Sequence, residues 1–120
     1  MNTDSVSGGD RRRPLRFVVR FPGDTHAILE LEGELDIANT HVLASVLDAV
    51  LVAGVDTVEI DTTNVDFAGC SFLGVIDRHA GRFSGAGGAL VLAGTSPAVQ
   101  RLLQLAGSDD TVEHRPLTQR

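Results

Sequence analysis

Two hydrophobic periods alternate along the chain, and this alternation constrains the fold more than any other feature. Leu15 to Phe21 is a short apolar run, and Ala27 to Glu32 alternates between apolar and polar residues, as strands do. Pro22-Gly23-Asp24 between them predicts a turn, so the two strands are expected to pair as a hairpin. From Thr40 onward helical and strand-like segments follow one another, which indicates parallel pairing through crossover helices.

The pattern predicts the order β-β-α-β-α-β-α-β. The later segments are a helix from Thr40 to Ala53, a strand from Val58 to Asp61, a helix around Phe72 to Phe83, a strand from Ala89 to Ala93, a helix from Pro97 to Ala106 and an edge strand from Thr111 to Arg115. Asn39 or Thr40 is expected to cap the first helix and Ser96 the third, while Gly54 and Gly107 end them. Asn64 to Cys70 is expected to be a loop. The fold class is therefore α/β, with one mixed, mostly parallel sheet, an N-terminal hairpin and helices packed against it.

A chain of 120 residues forms one domain. Residues 1–13 are polar and rich in Gly and Ser, which predicts a disordered leader before a domain of residues 14–120. The single cysteine excludes an internal disulfide framework. No apolar run reaches the length of a membrane span, and no signal peptide is apparent, so we expect a cytoplasmic protein.

Charge is unevenly distributed along the sequence. The net charge is −6, and between Phe21 and Asp77 eleven acids occur without any Lys or Arg. Such a surface repels nucleic acid and anionic membranes, and neither is expected as a partner. It suits a basic protein partner, although acidity that serves only solubility remains an equally good interpretation.

Signatures of enzymes and cofactor sites are missing. There is no phosphate-binding loop or dinucleotide fingerprint, and the four histidines are scattered, so we expect no cofactor and no metal site. His79 lies on the apolar face of its helix and is expected to be a satisfied, semi-buried histidine. An enzyme on this scaffold would need a base beside Ser71 or Cys70, and nothing in the spacing singles one out. We therefore predict a protein without enzymatic activity.

Cys70 and Ser71 stand where the second predicted helix begins. A helix N-terminus carries unpaired amides and a partial positive charge, so it tolerates a phosphate on Ser71 and favours a reactive thiolate at Cys70. The simpler interpretation is that Ser71 caps the helix and Cys70 is a small buried apolar residue. From the residues alone the simpler interpretation is preferred.

Three segments resemble STAS domains of the bacterial anti-sigma factor antagonist type. They are Gly33-Glu34-Leu35-Asp36, the segment from Asp66 to Ile76 that matches the phosphorylation motif of the family, and Ser96 to Leu103 at the start of the third helix. The resemblance covers about residues 15–115 and implies the same order of strands and helices.

The resemblance implies a partner-switching role in transcription regulation. The unmodified protein would bind an anti-sigma factor that is a serine kinase, and this would release a sigma factor. The kinase would phosphorylate Ser71, and a PPM-type phosphatase would reverse the modification. The residues that would form the partner-binding surface are Glu34, Asp36, Asp66, Gly69, Cys70, Ser71 and Phe72.

The sequence departs from the family motif beside Ser71. Gly69, Cys70 and Phe72 stand where the family has Asp, Ser and Gly. Cys70 supports a second hypothesis, in which the module binds constitutively or under redox control, without phosphorylation. The family usually has one more helix at its C-terminal end. We expect that helix to be absent or short here, or its seam to be covered by the partner or by a second copy in a homodimer.

Overall fold

The computed structural model describes residues 13–106 and 113–115. The elements are β1 (Arg16–Gly23), β2 (His26–Leu35), α1 (Thr40–Val52), β3 (Thr57–Ala68), α2 (Cys70–Gly85), β4 (Ala89–Thr95), α3 (Pro97–Ala106) and β5 (Glu113–Arg115). This is the element order that the alternating periods predict.

The strands form one sheet in the order β1-β2-β3-β4-β5. β1 pairs antiparallel with β2, and every later pairing is parallel. One helix connects the two strands of each parallel pair, as a crossover connection requires. The predicted mixed, mostly parallel sheet with an N-terminal hairpin is therefore confirmed.

The apolar core joins the sheet to the helices. Ala27, Leu29 and Leu31 of β2 are at most 3% exposed, whereas Glu30 and Glu32 on the other face are half-buried, as the alternating pattern predicts. Ile28, also on that face, is buried as well. The same apolar cluster includes helix residues Leu43, Leu47, Phe72, Ile76, Phe83, Val99 and Leu103. The burial of these side chains is the main force that holds the layers together.

β3 extends further than its side-chain pattern indicates. The segment from Asn64 to Cys70 was expected to be a loop, but it remains strand as far as Ala68. Its backbone stays paired with β2 across two register shifts, and Leu35 lies opposite Ala68. The expectation was wrong because irregular pairing interrupts the two-residue period while the backbone pairing continues. Only Gly69 separates this strand from α2.

The helix termini partly follow the predicted caps. The Ser96 hydroxyl accepts a hydrogen bond from the Val99 N–H at 3.2 Å, and Pro97 is the first residue of α3, as predicted. Asn39 precedes α1, but its side chain makes no cap hydrogen bond to the helix. Gly54 follows α1 with a φ of 101°, the left-handed conformation that commonly ends a helix.

His79 connects α2 to α1. It is 1% exposed, its Nδ1 lies 2.8 Å from the Val75 carbonyl oxygen, and its Nε2 lies 2.7 Å from the Asp48 carboxylate. Arg82, one turn further along α2, donates to the same carboxylate. The prediction of a satisfied histidine is confirmed, but the side chain is fully buried and not semi-buried as expected. Its contact with Asp48 joins α2 to the neighbouring helix.

Some sequence predictions lie outside the described residues. They concern the leader up to residue 12, Gly107 after α3, the first two residues of the last strand and the chain after Arg115. The described part of the last strand is β5, which pairs parallel with β4 as an edge strand.

The contact between α1 and α2 predicts a pH-dependent stability. The hydrogen bond from His79, supported by Arg82, holds the pKa of Asp48 below its usual value despite opposing desolvation. An acid with a lowered pKa stabilises the fold above its unfolded-state pKa, and this stabilisation is lost as the pH falls through the folded-state pKa. We expect Asp48→Asn to be less stable than the wild type at neutral pH, with a difference that shrinks below about pH 4.

Urea unfolding of both proteins across this pH range measures the difference. Asp77→Asn, an exposed position on α2, is the matched control and should follow the wild type. A difference for Asp48→Asn that stays constant at every pH would contradict this account of the contact.

Candidate functional site

The carboxyl ends of β2 and β3 bring two connecting segments together. Leu35 and Ala68 are paired near the ends of these parallel strands, and the Gly69 N–H donates to the Leu35 carbonyl oxygen at 2.9 Å. Parallel strands end at the same edge of a sheet, so the loop into α1 and the start of α2 leave it side by side. Asp36 and Ser71 therefore line one groove.

The loop between β2 and α1 is held by its own side chains. Asn39 accepts a hydrogen bond from the Asp36 N–H at 2.9 Å and donates to the Glu34 carbonyl oxygen at 2.8 Å. The Asp36 carboxylate accepts the Ala38 N–H at 3.0 Å. These bonds form an Asx-type turn that fixes the loop, and they leave Ile37 at its tip 87% exposed.

The second segment is the beginning of α2. Gly69 is its N-cap residue, no side chain caps the helix, and its first turn contains no acidic residue. Cys70 and Ser71 are the first and second helical residues. The partial positive charge of this N-terminus is therefore not balanced by a side chain of the helix itself, which favours an added anion at Ser71.

Ser71 and Cys70 differ in exposure. Cys70 is exposed, whereas Ser71 is half-buried and its Oγ is covered, with no hydrogen-bond partner among the described residues. The simpler interpretation of these residues is wrong on both points, because Gly69 occupies the cap position and the thiol faces solvent. A covered hydroxyl without a partner is uncommon in proteins and marks Ser71 as a residue whose role needs explanation.

The groove has apolar walls that the sequence analysis did not single out. Its lining residues are Asp36, Ile37, Ala38, Phe67, Cys70 and Ser71. Phe67 is 44% exposed although it belongs to a strand. The available signal was weak: Ile37 is an apolar residue in a short loop, and Phe67 follows an exposed acid at the end of a strand. Exposed apolar side chains around a polar centre are typical of protein-binding surfaces.

Phe72 does not belong to this surface. It was expected among the partner-binding residues, but its side chain is 0% exposed and belongs to the core cluster. The reason is helical geometry, since Phe72 shares the inward face of α2 with Val75, Ile76 and His79 at spacings of three and four residues. A partner can contact the remaining predicted residues without contacting Phe72.

The acids predicted for the surface occupy different positions. Glu34 lies half-buried near the end of β2, while Asp66 is exposed on β3. Arg13, which the sequence analysis placed at the end of the leader, donates from Nε to Asp66 at 2.6 Å. This hydrogen bond raises the pKa of Arg13 above its usual value. The acidic surface is therefore partly neutralised by a base that lies before the base-free stretch in the chain.

Two further properties concern the whole described structure. Within residues 13–106 and 113–115, no group of three or more His, Cys, Asp or Glu side chains is arranged to hold a metal ion. The helices of this part of the chain are too short or too polar to cross a membrane.

Comparison with known proteins identifies the domain. A family model described as Mlab, STAS domain matches residues 19–118. The chain belongs to the STAS domain family. This confirms the resemblance carried by the three sequence segments. The comparison with curated proteins gives no match.

Solved structures share the fold of this STAS domain. An anti-sigma factor antagonist from Mycobacterium paratuberculosis is 22% identical with a TM-score of 0.75, and the alignment covers 86% of each chain. The Bacillus cell fate determinant SpoIIAA in its phosphorylated form is 17% identical with a TM-score of 0.67, covering 83% of this chain and 91% of that one. A Thermotoga maritima protein described as a candidate anti-sigma factor antagonist is 27% identical with a TM-score of 0.70, covering 82% and 84%.

Asp36 stabilises the loop before α1 by accepting a hydrogen bond from the Ala38 N–H. We therefore expect its negative charge to be removable without loss of stability. Asp36→Ala removes the acceptor of the Ala38 N–H and should lower the free energy of unfolding by about 0.5–1.5 kcal/mol. Asp36→Asn keeps an oxygen acceptor and should stay close to the wild type. Urea unfolding distinguishes the two variants. Equal losses in both would show that the charge of Asp36, and not its hydrogen bond, stabilises the loop.

Proposed function

We propose that this STAS domain is a cytoplasmic anti-sigma factor antagonist. In its unmodified form it binds a kinase-type anti-sigma factor and thereby releases a sigma factor for transcription. Phosphorylation of Ser71 by this kinase ends the binding, and a PPM-type phosphatase restores the unmodified form. The partner-binding surface is the groove around Ser71, together with Glu34 and Asp66 on the strands that lead to it.

The observation that carries the proposal is the place of Ser71 in the groove. Its hydroxyl belongs to the second residue of an uncapped helix, and the exposed side chains of Ile37 and Phe67 line the same groove. The apolar side chains supply contact area for a partner, while the helix N-terminus accommodates a phosphate. The SpoIIAA structure with the same fold, solved in a phosphorylated form, supports this assignment.

The Ser71 Oγ is covered, so it has to become exposed before a kinase can phosphorylate it. The Oγ has no hydrogen-bond partner among the described residues, so no such bond has to break when the side chain rotates. The kinase has to expose it, either by rotating the side chain or by displacing a neighbouring wall of the groove.

The bulk of a phosphoryl group and the cost of desolvating its charge explain how one phosphate ends the binding. Asp36 lies in the same groove as Ser71, and Glu34 stands on the strand that leads to it. A phosphoryl group adds about two negative charges and a bulky hydrated group inside the interface. A loss of about 3 kcal/mol corresponds to roughly a hundredfold weaker binding and requires no change of fold.

Gly69 and Cys70 replace the Asp and Ser of the family motif, so we expect other residues to recognise the kinase. An added Cβ at Gly69 would lie 3.7 Å from the Phe67 ring, so the glycine is not required by lack of space. Without the Asp and Ser of the family motif, Asp36, Ile37 and Phe67 are the groove residues that offer a partner a charge or a large exposed apolar side chain. We infer that the cognate kinase is selected by these three side chains.

Phosphorylation and binding can be measured separately. The wild type and Ser71→Ala are incubated with each purified kinase-type anti-sigma factor of the source organism and ATP, and the phosphate is located by mass spectrometry. We expect one phosphate on Ser71 of the wild type and none on the variant. Phosphate on another residue, or none with any kinase that binds the protein, would rule out the switch.

Binding of the same kinase is then compared in charge variants. Ser71→Glu should bind on the order of a hundredfold more weakly than the wild type, because it places a carboxylate in the groove. Ser45→Glu, at an exposed position of α1, adds the same charge away from the groove and should bind normally. Equal weakening by both substitutions would show an effect of net charge only.

A second candidate function is supported by the exposed thiol. Cys70 faces solvent at the first residue of α2 and lines the same groove, where oxidation would alter the docking surface. In this alternative the module binds constitutively or under redox control, without phosphorylation. Binding to the kinase-type anti-sigma factor is compared for wild type and Cys70→Ser under reducing and oxidising conditions. Redox control requires that oxidation weakens only the wild type, and identical behaviour would exclude it.

We assign no enzymatic activity to the domain. A serine nucleophile is activated by a base within hydrogen-bond distance. The Ser71 Oγ has no such partner among the described residues.

A further inference from the structure

Among residues 13–106 and 113–115, β1 is an unpaired edge of the sheet that carries apolar side chains. It pairs with β2 on one side only, and over its eight residues only Val19 reaches half-burial. Phe17, Val18 and Phe21 are 41%, 54% and 59% exposed. At the opposite edge, the described part of β5 has three residues. Long apolar edges invite another strand, and proteins normally protect them.

Irregular backbone is confined to one end of β1. A register shift between Arg20 and Gly23 and the proline at position 22 disturb the C-terminal end of the strand. From Arg16 to Arg20 the ladder with β2 is regular. This regular stretch therefore presents backbone donors and acceptors along its outer side, and Phe21, one residue beyond it, adds an exposed side chain.

The charges of β1 are neutralised within the chain. The Arg20 side chain donates to Glu30 at 2.6 Å, and Arg16 lies 3.9 Å from Glu32. In a chain with a net charge of −6, this edge is a region where acids and bases balance. Two copies that approach through β1 therefore meet less like-charge repulsion than copies that approach through the acidic groove.

We propose that β1 pairs antiparallel with β1 of a second copy, which joins the two sheets into one. The two-fold axis between the copies passes through Val19, because this register brings the apolar residues of the two strands together. That register places Val19 opposite Val19 of the second copy and each Phe17 beside the second copy's Phe21. The apolar side chains of the edge then cover one another, and each arginine lies opposite an uncharged residue.

A register shifted to a two-fold axis at Val18 is less favourable. It would place Arg16 directly opposite Arg20 of the second copy, and like charges at directly opposed positions destabilise a strand pair. It would also place each Phe21 beside Leu15 of the second copy, one residue before the strand begins. Of these two registers, the opposed arginines therefore favour the Val19 register for the second copy. This surface is distinct from the groove at Ser71, so a dimer leaves the groove of each copy accessible.

The oligomeric state tests the pairing. Sedimentation equilibrium of the full chain from about 1 µM to about 1 mM should show a reversible monomer–dimer equilibrium. Phe17→Glu and Phe21→Lys should each weaken the dimer by at least about tenfold, because a charge is buried against an aromatic ring. Val52→Glu, at an exposed position on α1, is the control and should leave the equilibrium unchanged.

Mixing the two variants tests the register. In a mixed dimer Glu at position 17 of one copy faces Lys at position 21 of the other, and the second contact remains Phe against Phe. The mixture should therefore dimerise more tightly than either variant alone. Circular dichroism of each variant confirms that the fold is retained, so a loss of dimer is not a loss of folding.

Cross-linking locates the two-fold axis. Cα atoms of directly opposed strand residues lie about 4.5–5.5 Å apart, within the range of a disulfide. In a Cys70→Ser background, Val19→Cys should form an intermolecular disulfide on oxidation, and Val52→Cys should not. A monomer at every concentration overturns the proposal. A dimer that none of the β1 substitutions affects, or one without rescue in the mixture, overturns it as well.

Discussion

The parallel pairing of β2 with β3 is the constraint on which the candidate site depends. It places Leu35 beside Ala68, and from that point one chain segment turns into the loop before α1 while the other begins α2. Neither segment contains the site by itself. Asp36 and Ile37 come from the first, Cys70 and Ser71 from the second, and the groove exists only because the two strands end together. The burial of Leu29, Leu31 and Ile60 beneath the helices maintains this pairing.

Much of the fold could be predicted from the sequence because its elements are amphipathic. The α2 face of Phe72, Ile76 and Phe83 and the run of β4 have side-chain periods that survive without tertiary information. Ser96-Pro97 is a local signal that needs no distant partner, and it holds in the structure. His79 was also interpreted correctly, since a histidine on an apolar face needs acceptors, and Val75 and Asp48 provide them.

The candidate site was harder to predict from the sequence than the fold. The end of β3 is set by backbone pairing with β2, which leaves no periodic signal, so the segment up to Ala68 was mistaken for a loop. Family motifs indicate positions in the sequence and not the direction of side chains. Phe72 therefore entered the predicted surface although its ring is in the core. Arg13 and Asp66 are 53 residues apart in the sequence, and no local sequence pattern predicts their contact.

The hydrogen bonds of Asn39 and Asp36 have a consequence for the thermodynamics of recognition. They order the loop before α1 when the domain folds, so Ile37 is presented in one conformation before any partner arrives. Binding at a flexible loop loses conformational entropy, whereas a loop that is already ordered loses little. For a partner that docks on Ile37, most of the contact free energy is thus retained as affinity. The ordered loop does not change shape to fit a partner with a different surface. Its rigidity therefore also limits which proteins can bind.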